Sequence, residues 1–532
     1  MDRRRILQGG AALALLGPFS GRLAFADSRD ETLRVLADSA PNSQDPHGAG
    51  VSRASLAVFF NVYDRLINFG RSEVQPGLYR YDYSRFEGEL AESFEERDDG
   101  RTLIFHLRKD ATFHDGSPVT AEDARWSLER GVSLPASKNQ LATGSLKDAT
   151  QFTVVNPHTL SITFERRDRL TLPNLALSFA SILNSTLAKK NATESDPWAT
   201  DWVRNNAAGG GAYKIETWNP SQQVVYAGFD DWKSGPRPFI RRAILQIVPA
   251  AESRAATLLK GDADVALALP PRDLDTLSHD SRAHVISLPV TNAFRFIAFN
   301  SKAKPFDDVR VRQAIAYALP YRDLLQASVF GHANPLFAAA SATPKDASFP
   351  QPYPYDTDLD KAKALIAEAG LAGGFETTFS SNVSDATQAD PIALLVQESL
   401  AKIGVKVTID KVPEAQWGTQ LTQRKIPFYT DSSSAWFNAP DYFFRIFFQG
   451  DWRWNFGNFD DPELNALVNA ARWESDPAKY DAAIRKAIVL VFDKLPLLPL
   501  WLPSYEAALR PGLNDFTYYI HGQVDFRSLK RG

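Results

Sequence analysis

The chain has 532 residues, 44% of them hydrophobic and 11% aromatic, a length that predicts several lobes rather than one compact core and a balance that excludes disordered and fibrous classes. The net charge of −4, from 59 Lys plus Arg against 63 Asp plus Glu with no long run of one sign, gives no footprint for a polyanion and argues against nucleic acid as a partner. No cysteine is present, which excludes disulfides, thiolate nucleophiles, zinc-thiolate and iron–sulfur sites, and a lipid anchor on an N-terminal Cys.

Residues 1–26, MDRRRILQGGAALALLGPFSGRLAFA, combine a basic start, a short apolar middle and small residues at Ala24 and Ala26, the pattern of a secretory signal peptide. Arg3 and Arg4 followed by Ile6 and Leu7 resemble a twin-arginine export signal, with a plain Sec signal as the alternative. The apolar stretch is far shorter than the roughly 20 residues a membrane span needs, and the run 488–502 is broken by Asp493, Lys494, Pro496 and Pro499, so a soluble periplasmic protein is expected.

Leu33 to Ala37 predicts a buried strand, followed by the loop SAPNSQDPHGAG and an amphipathic helix from about Arg53 to Ile67. TLIFHLR predicts a half-buried strand, and Thr120 with Asp123 a capping box opening the helix AEDARWSLER. TLSITF adds a strand and 170–179 a helical stretch. GGGAYKIETW, QQVVYAG and AILQIV predict three strands, followed by the helix AESRAATLLKGD and the strand DVALAL. FRFIAFN opens a second lobe, followed by a helix that Asp307 or Asp308 can cap. From Phe375 to Thr430 the pattern runs strand, helix, strand, helix, strand, which is βαβ logic and implies a largely parallel sheet. Helices near 462–473 and 477–493 precede the apolar strand LPLLPLW. The chain is thus expected to cross between lobes near 290–300 and again near 500–508, and paired crossings make a hinge.

Residues 90–130, LAESFEERDDGRTLIFHLRKDATFHDGSPVTAEDARWSLER, resemble the signature region of the bacterial extracellular solute-binding proteins of family 5. GGGAYKIETW, FIAFNSKAKPFDDVRVRQAIAYAL and FGNFDDPELNALVNAAR resemble it in the same order, so the likeness spans the mature chain. The resemblance implies an α/β, two-lobed periplasmic binding protein (type II, cluster C) with an extra subdomain in the first lobe and a two-crossing hinge. Lobe I is expected over 27–292 and lobe II over 293–506, with 507–532 returning to lobe I. It further implies a monomeric receptor that encloses a small polar ligand, most commonly a peptide, and delivers it to the permease subunits of an ABC importer; amine and carboxylate anchors absent from this chain move weight toward opine-like conjugates, glycosides or modified peptides.

No HExxH, GxSxG elbow or P-loop occurs, and the eight His are scattered, so no enzyme, metal or cofactor is expected; an exported enzyme using the same cleft is the rival reading. His114 and Asp115 in FHDGSP fit a tight turn better than a metal site. Peptide receptors of the family commonly hold the ligand's ammonium with an Asp three residues after a Trp. Here AWFNAPDYFF has Trp436 but Ala439 at that place, leaving Asp441 or Asn438 as substitutes, and an amine without a carboxylate loses its compensation for desolvation. FSSNVSDATQ lacks the Arg that some dipeptide receptors use for the ligand carboxylate; its Asn382, Ser384 and Asp385 suit a hydroxyl- or amine-bearing ligand. Arg295 on the crossing strand is the alternative cation, facing the cleft or pairing with an acidic neighbour. Gly50, Val51 and Ser52 match the loop that offers main-chain groups, Asn292 precedes the crossing strand, and Trp436 can stack on the ligand. The aromatic cluster at 443–456 is expected to be a packed helix followed by a loop at the cleft rim.

Overall fold

The computed structural model describes residues 29–532, apart from Asp451, Arg453 and His521; the expected signal peptide lies outside the described residues. A mixed sheet of twelve strands forms the backbone of the molecule. Its order is Val405–Val412, Phe375–Asn382, Phe428–Ser434, Ala293–Phe299, Leu497–Leu509, Val265–Leu267, Thr32–Ala37, Arg242–Ile247, Gln223–Gly228 and Tyr213–Asn219, with two further strands on Leu497–Leu509.

Leu497–Leu509 joins two lobes. Leu497 to Trp501 pairs with Ala298 back to Arg295, whereas Ser504 to Leu509 pairs with Pro289 back to His284, and Ala507 to Leu509 also pair with Val265–Leu267 along the opposite edge. The strand His284–Pro289 and the strand Ala293–Phe299 lie on opposite sides of this change of partner, so the short link between them is the second crossing. All seven residues of Ala293–Phe299 are buried, which explains its unbroken apolar run, because a strand covered on both faces has no solvent side to alternate toward.

Within the first-lobe stretch, Ala91–Arg97, Thr102–Leu107, Thr159–Thr163 and Phe152–Asn156 form a separate four-stranded antiparallel sheet. The helix Ala121–Ser133 packs beside it and starts with the expected capping box, in which Asp123 Oδ2 accepts the Thr120 N–H at 3.0 Å. At the other end of the chain, Phe516–Tyr518 pairs with the hairpin strand Leu78–Gly88, and the Phe526 N–H bonds Asn61 Oδ1 at 2.9 Å, which returns the C-terminus to the first lobe.

The βαβ stretch follows the sequence reading closely, with strands 375–382, 405–412 and 428–434 and helices 386–401 and 414–422 between them. One reading is corrected. The helix expected over 53–67 is a short turn and a helix limited to Leu56–Val62, and Ile67 already belongs to the strand Ile67–Gln75. The long hairpin 67–88, closed by Pro76-Gly77 with Gly77 at φ 72°, was not expected; its tyrosines at 79, 81 and 83 share one period-2 face.

Candidate functional site

The carboxyl ends of the parallel strands in each lobe lie at the same edge. In the first lobe these are Ala37, Ile247 and Leu267, and in the second Asn382, Val412 and Ser434. Loops leaving such edges build ligand sites in α/β sheets, because the strands end there without covering helices. The loop after Ala37 is held rigidly. Asn42 donates to the Gly50 carbonyl at 2.9 Å and accepts from the Ser52 N–H at 2.8 Å, and Arg204 bonds the Ala49 carbonyl at 2.8 Å. Gly50 takes the left-handed φ of 66°, a conformation that costs other residues more.

Behind this loop Arg130 grips Asp45 with two bonds of 2.7 Å, both side chains being buried. His47 lies against the same guanidinium, and burial followed by that positive charge pushes its imidazole down to about 3, so it stays neutral.

The loop faces a cavity of about 420 Å³, within the range of small-molecule sites. Gly48, Gly50, Val51, Ser52, Ser178 and Phe179 line it from the first lobe and Trp436 from the second. Trp436 meets Phe179 edge to face with ring centroids 5.1 Å apart, and the half-buried indole leaves surface for a ligand. Four sequence candidates, Gly50, Val51, Ser52 and Trp436, therefore share one wall-to-wall cavity; Ser178 and Phe179 carried no local motif and entered it only through the fold.

Other candidates lie elsewhere. Asn292 is 1% exposed, and its side-chain amide donates to the Ala435 carbonyl at 2.5 Å while its backbone carbonyl accepts the Ala435 N–H at 2.8 Å. It clamps the segment that carries Trp436 and has no face toward the cavity. Asn438 bonds Thr291 Oγ1 at 3.1 Å and lines a different cavity of about 380 Å³ beside Tyr81 and Tyr83. Asp441 is fully buried in the helix Pro440–Phe448, where one carboxylate oxygen accepts the Tyr480 hydroxyl at 2.8 Å. The structure thus places Asp441 in the interior, outside the lining of the Trp436 cavity, with its helical position turning it toward the helix Pro477–Lys494.

Arg295 is 2% exposed, forms an ion pair with Asp385 and donates to Thr430 Oγ1 at 3.1 Å. Its charge is balanced inside the lobe. Asn382 accepts the Ser384 N–H at 3.0 Å and donates to Glu414, which also accepts the Ser384 hydroxyl at 2.7 Å; these side-chain bonds, Ser384's before Asn382's, hold the Glu414 carboxyl below its ordinary range. Asp385 and Glu414 thus stand just beyond the ends of the strands Phe375–Asn382 and Val405–Val412.

His114 is locked to the Gly211 carbonyl at 2.9 Å and pushed down to about 4 by burial, while Asp115 accepts from Ser117 and Asn184. This is a turn. No group of three or more metal-ligating side chains occurs among the described residues. Helix Pro440–Phe448 buries Phe443, Phe444, Phe447 and Phe448, and Trp452 and Trp454 stand exposed on the loop behind it.

The model of the bacterial extracellular solute-binding proteins, family 5 Middle, matches residues 85–455. The Dipeptide-binding protein of Escherichia coli (strain K12) is 26% identical over 511 residues, covering 89% of each chain. Heme-binding protein A of Haemophilus influenzae is 28% identical over 490 residues, covering 86% of this chain and 84% of its own. Among solved structures, the PBP AgaA of A. tumefaciens R10 in complex with agropinic acid superposes with a TM-score of 0.73 at 25% identity, over 94% of this chain and 99% of the other. With two lobes joined through a shared strand and a family match that spans more than half its length, the chain belongs to the bacterial extracellular solute-binding proteins of family 5.

Proposed function

We propose that the protein is the periplasmic receptor of an ABC importer, made with the cleavable leader 1–26, acting as a monomer and binding its solute without chemical turnover. Lobe I is taken as 27–292, lobe II as 293–506, and 507–532 as the return to lobe I. The observation that carries the reading is the cavity of about 420 Å³ with the Gly48–Ser52 loop on one side and Trp436 on the other. A solute bridging the two favours the state in which the lobes meet, because only that state offers both sets of contacts. The permease then reads that joined surface.

The solute is a small polar molecule, either a peptide or a peptide-like conjugate such as an opine or glycoside. Ala439 stands where an amine-binding Asp is expected and Asp441 is buried, which weighs against ordinary α-amine recognition. The likeness to AgaA, solved with agropinic acid, supports the opine side of this choice. Mass spectrometry of what co-purifies with the mature protein from its native periplasm, followed by a thermal-shift screen of peptides, opines and sugar conjugates, tests the reading. An intact solute that raises the melting temperature is expected; turnover of that solute by the purified protein would favour the enzyme instead.

A further inference from the structure

A third cavity, of about 50 Å³, lies inside the second lobe between the strands Ala293–Phe299 and Phe428–Ser434 and the loop that follows helix Pro440–Phe448. Its walls are aromatic, including Phe296, Tyr429, Phe447, Trp454 and Phe456, and it carries one carboxylate, Asp431. The exposed members of the lining, Ser432 and Trp454, the latter 45% exposed, mark the side open to solvent.

Asp431 is held but not neutralised. One oxygen accepts the Ser432 N–H at 2.7 Å and the other the Trp417 indole N–H at 3.2 Å, and among the described residues no Lys or Arg forms an ion pair with it. Arg295, on the neighbouring strand, is committed to Asp385. A carboxylate offers about four acceptor positions, so two remain. Burial raises the Asp431 carboxyl to about 6, against the Ser432 N–H bond, the pull of Arg295 and the Trp417 N–H bond, and with a smaller push from Asp385. A cation supplies a partner for this carboxylate, and aromatic faces attract it further, whereas a neutral hydroxyl gains only a hydrogen bond.

We infer that this cavity binds the ammonium or guanidinium head of a small organic cation, paired with Asp431 and flanked by Trp454. A volume of about 50 Å³ admits only a few heavy atoms, which sets the size of the head and leaves the rest of the molecule outside. The head belongs either to a free cation or to an arm of the solute in the Trp436 cavity. The second source rests on the receptor reading; the first does not.

The test is isothermal titration of the dialysed full-length mature protein with methylguanidinium, against neutral methylurea of similar shape, at matched ionic strength. Saturable binding of methylguanidinium and none of methylurea is expected. Asp431→Asn is expected to weaken it at least about 10-fold, and Trp454→Ala by about 2- to 5-fold, with thermal melting of each variant confirming that it is folded. Equal affinity in wild type and Asp431→Asn, or equal binding of methylurea, overturns the site. Mass spectrometry of co-purifying compounds separates the sources: a cationic compound lost from both Asp431→Asn and Trp436→Ala is one solute spanning both cavities, and one lost from Asp431→Asn alone is a separate cation. A co-purified solute that Trp436→Ala leaves in place counts against the receptor reading and not against this site.

Discussion

Among single residues, Trp436 and His114 give opposite expectations. Trp436 is half-buried, braced by Phe179 and aimed into a cavity, so Trp436→Ala is expected to weaken solute binding by about 1 to 3 kcal/mol with little loss of folding, measured by calorimetry and thermal melting. Unchanged affinity would remove it from the site. His114 is buried, packs edge-on against Phe229 with ring centroids 5.1 Å apart and bonds a backbone carbonyl, so His114→Ala is expected to lower stability and leave affinity untouched. Asp431 yields a pH prediction. Its folded carboxyl is raised to about 6, above the value of 3.8 it has when unfolded, so the folded state holds the proton more tightly and the stability this lends is present below about pH 4 and lost as pH rises through 6. The groups that set this balance are Arg295 and Asp385, besides the Trp417 and Ser432 donors. Ligand-free Asp431→Asn is therefore expected to gain on wild type by on the order of 1 to 3 kcal/mol between pH 4 and pH 7, read from urea denaturation at each pH. A constant difference across that range would show that the carboxyl titrates normally.

At the scale of elements, the contacts between the lobes away from the cavity stand out. Arg472, on the helix Pro462–Arg472, forms a buried ion pair with Asp168 of the first-lobe subdomain stretch and donates to the Thr143 carbonyl at 2.7 Å. Arg169 donates to the Glu474 carbonyl at 2.9 Å, and the Arg166 guanidinium lies 4.2 Å from the Trp473 ring centroid. Such a pair is strong only while both partners stay desolvated, so any opening of the lobes there has to break it. Asp168 keeps the Leu170 N–H at 2.9 Å and the Ser145 hydroxyl as donors when Arg472 is removed, which limits the damage to the first lobe. Arg472→Ala is expected to increase the radius of gyration of the solute-free protein by small-angle scattering and to weaken solute binding. An unchanged radius would mean that the pair does not set the angle between lobes.

For the whole molecule, the strand Leu497–Leu509 and the link between Pro289 and Ala293 carry the connection between lobes, so a solute that engages both must couple to their relative position. Binding only the joined state raises the melting temperature by mass action, and a solute at about 100 times its Kd stabilises by roughly 2.7 kcal/mol. A Tm that rises with the logarithm of solute concentration is the expected signature, and it should be lost in Trp436→Ala at concentrations below the weakened Kd.

What the amino-acid order determined by itself was the set of strongly patterned elements. The βαβ run from Phe375 to Thr430 was legible because its periodicity switches repeatedly between 2 and 3.6, and the capping box at Thr120 because its chemistry is local. The family resemblance named the Gly50–Ser52 loop and Trp436 as ligand-facing, and the cavity brings them together. Tertiary structure alone decided the rest. Asp441 and Asn438 lie three residues apart after the same Trp, yet helix phase sends one into the core against Tyr480 and the other to Thr291. Arg295 could have faced the cleft or paired with an acidic neighbour, and strand geometry set it against Asp385, while Phe179 carries no motif at all before the fold lays it on Trp436. The physical reason is that local pattern fixes which faces are apolar, whereas the partner a polar side chain finds depends on segments tens to hundreds of residues away.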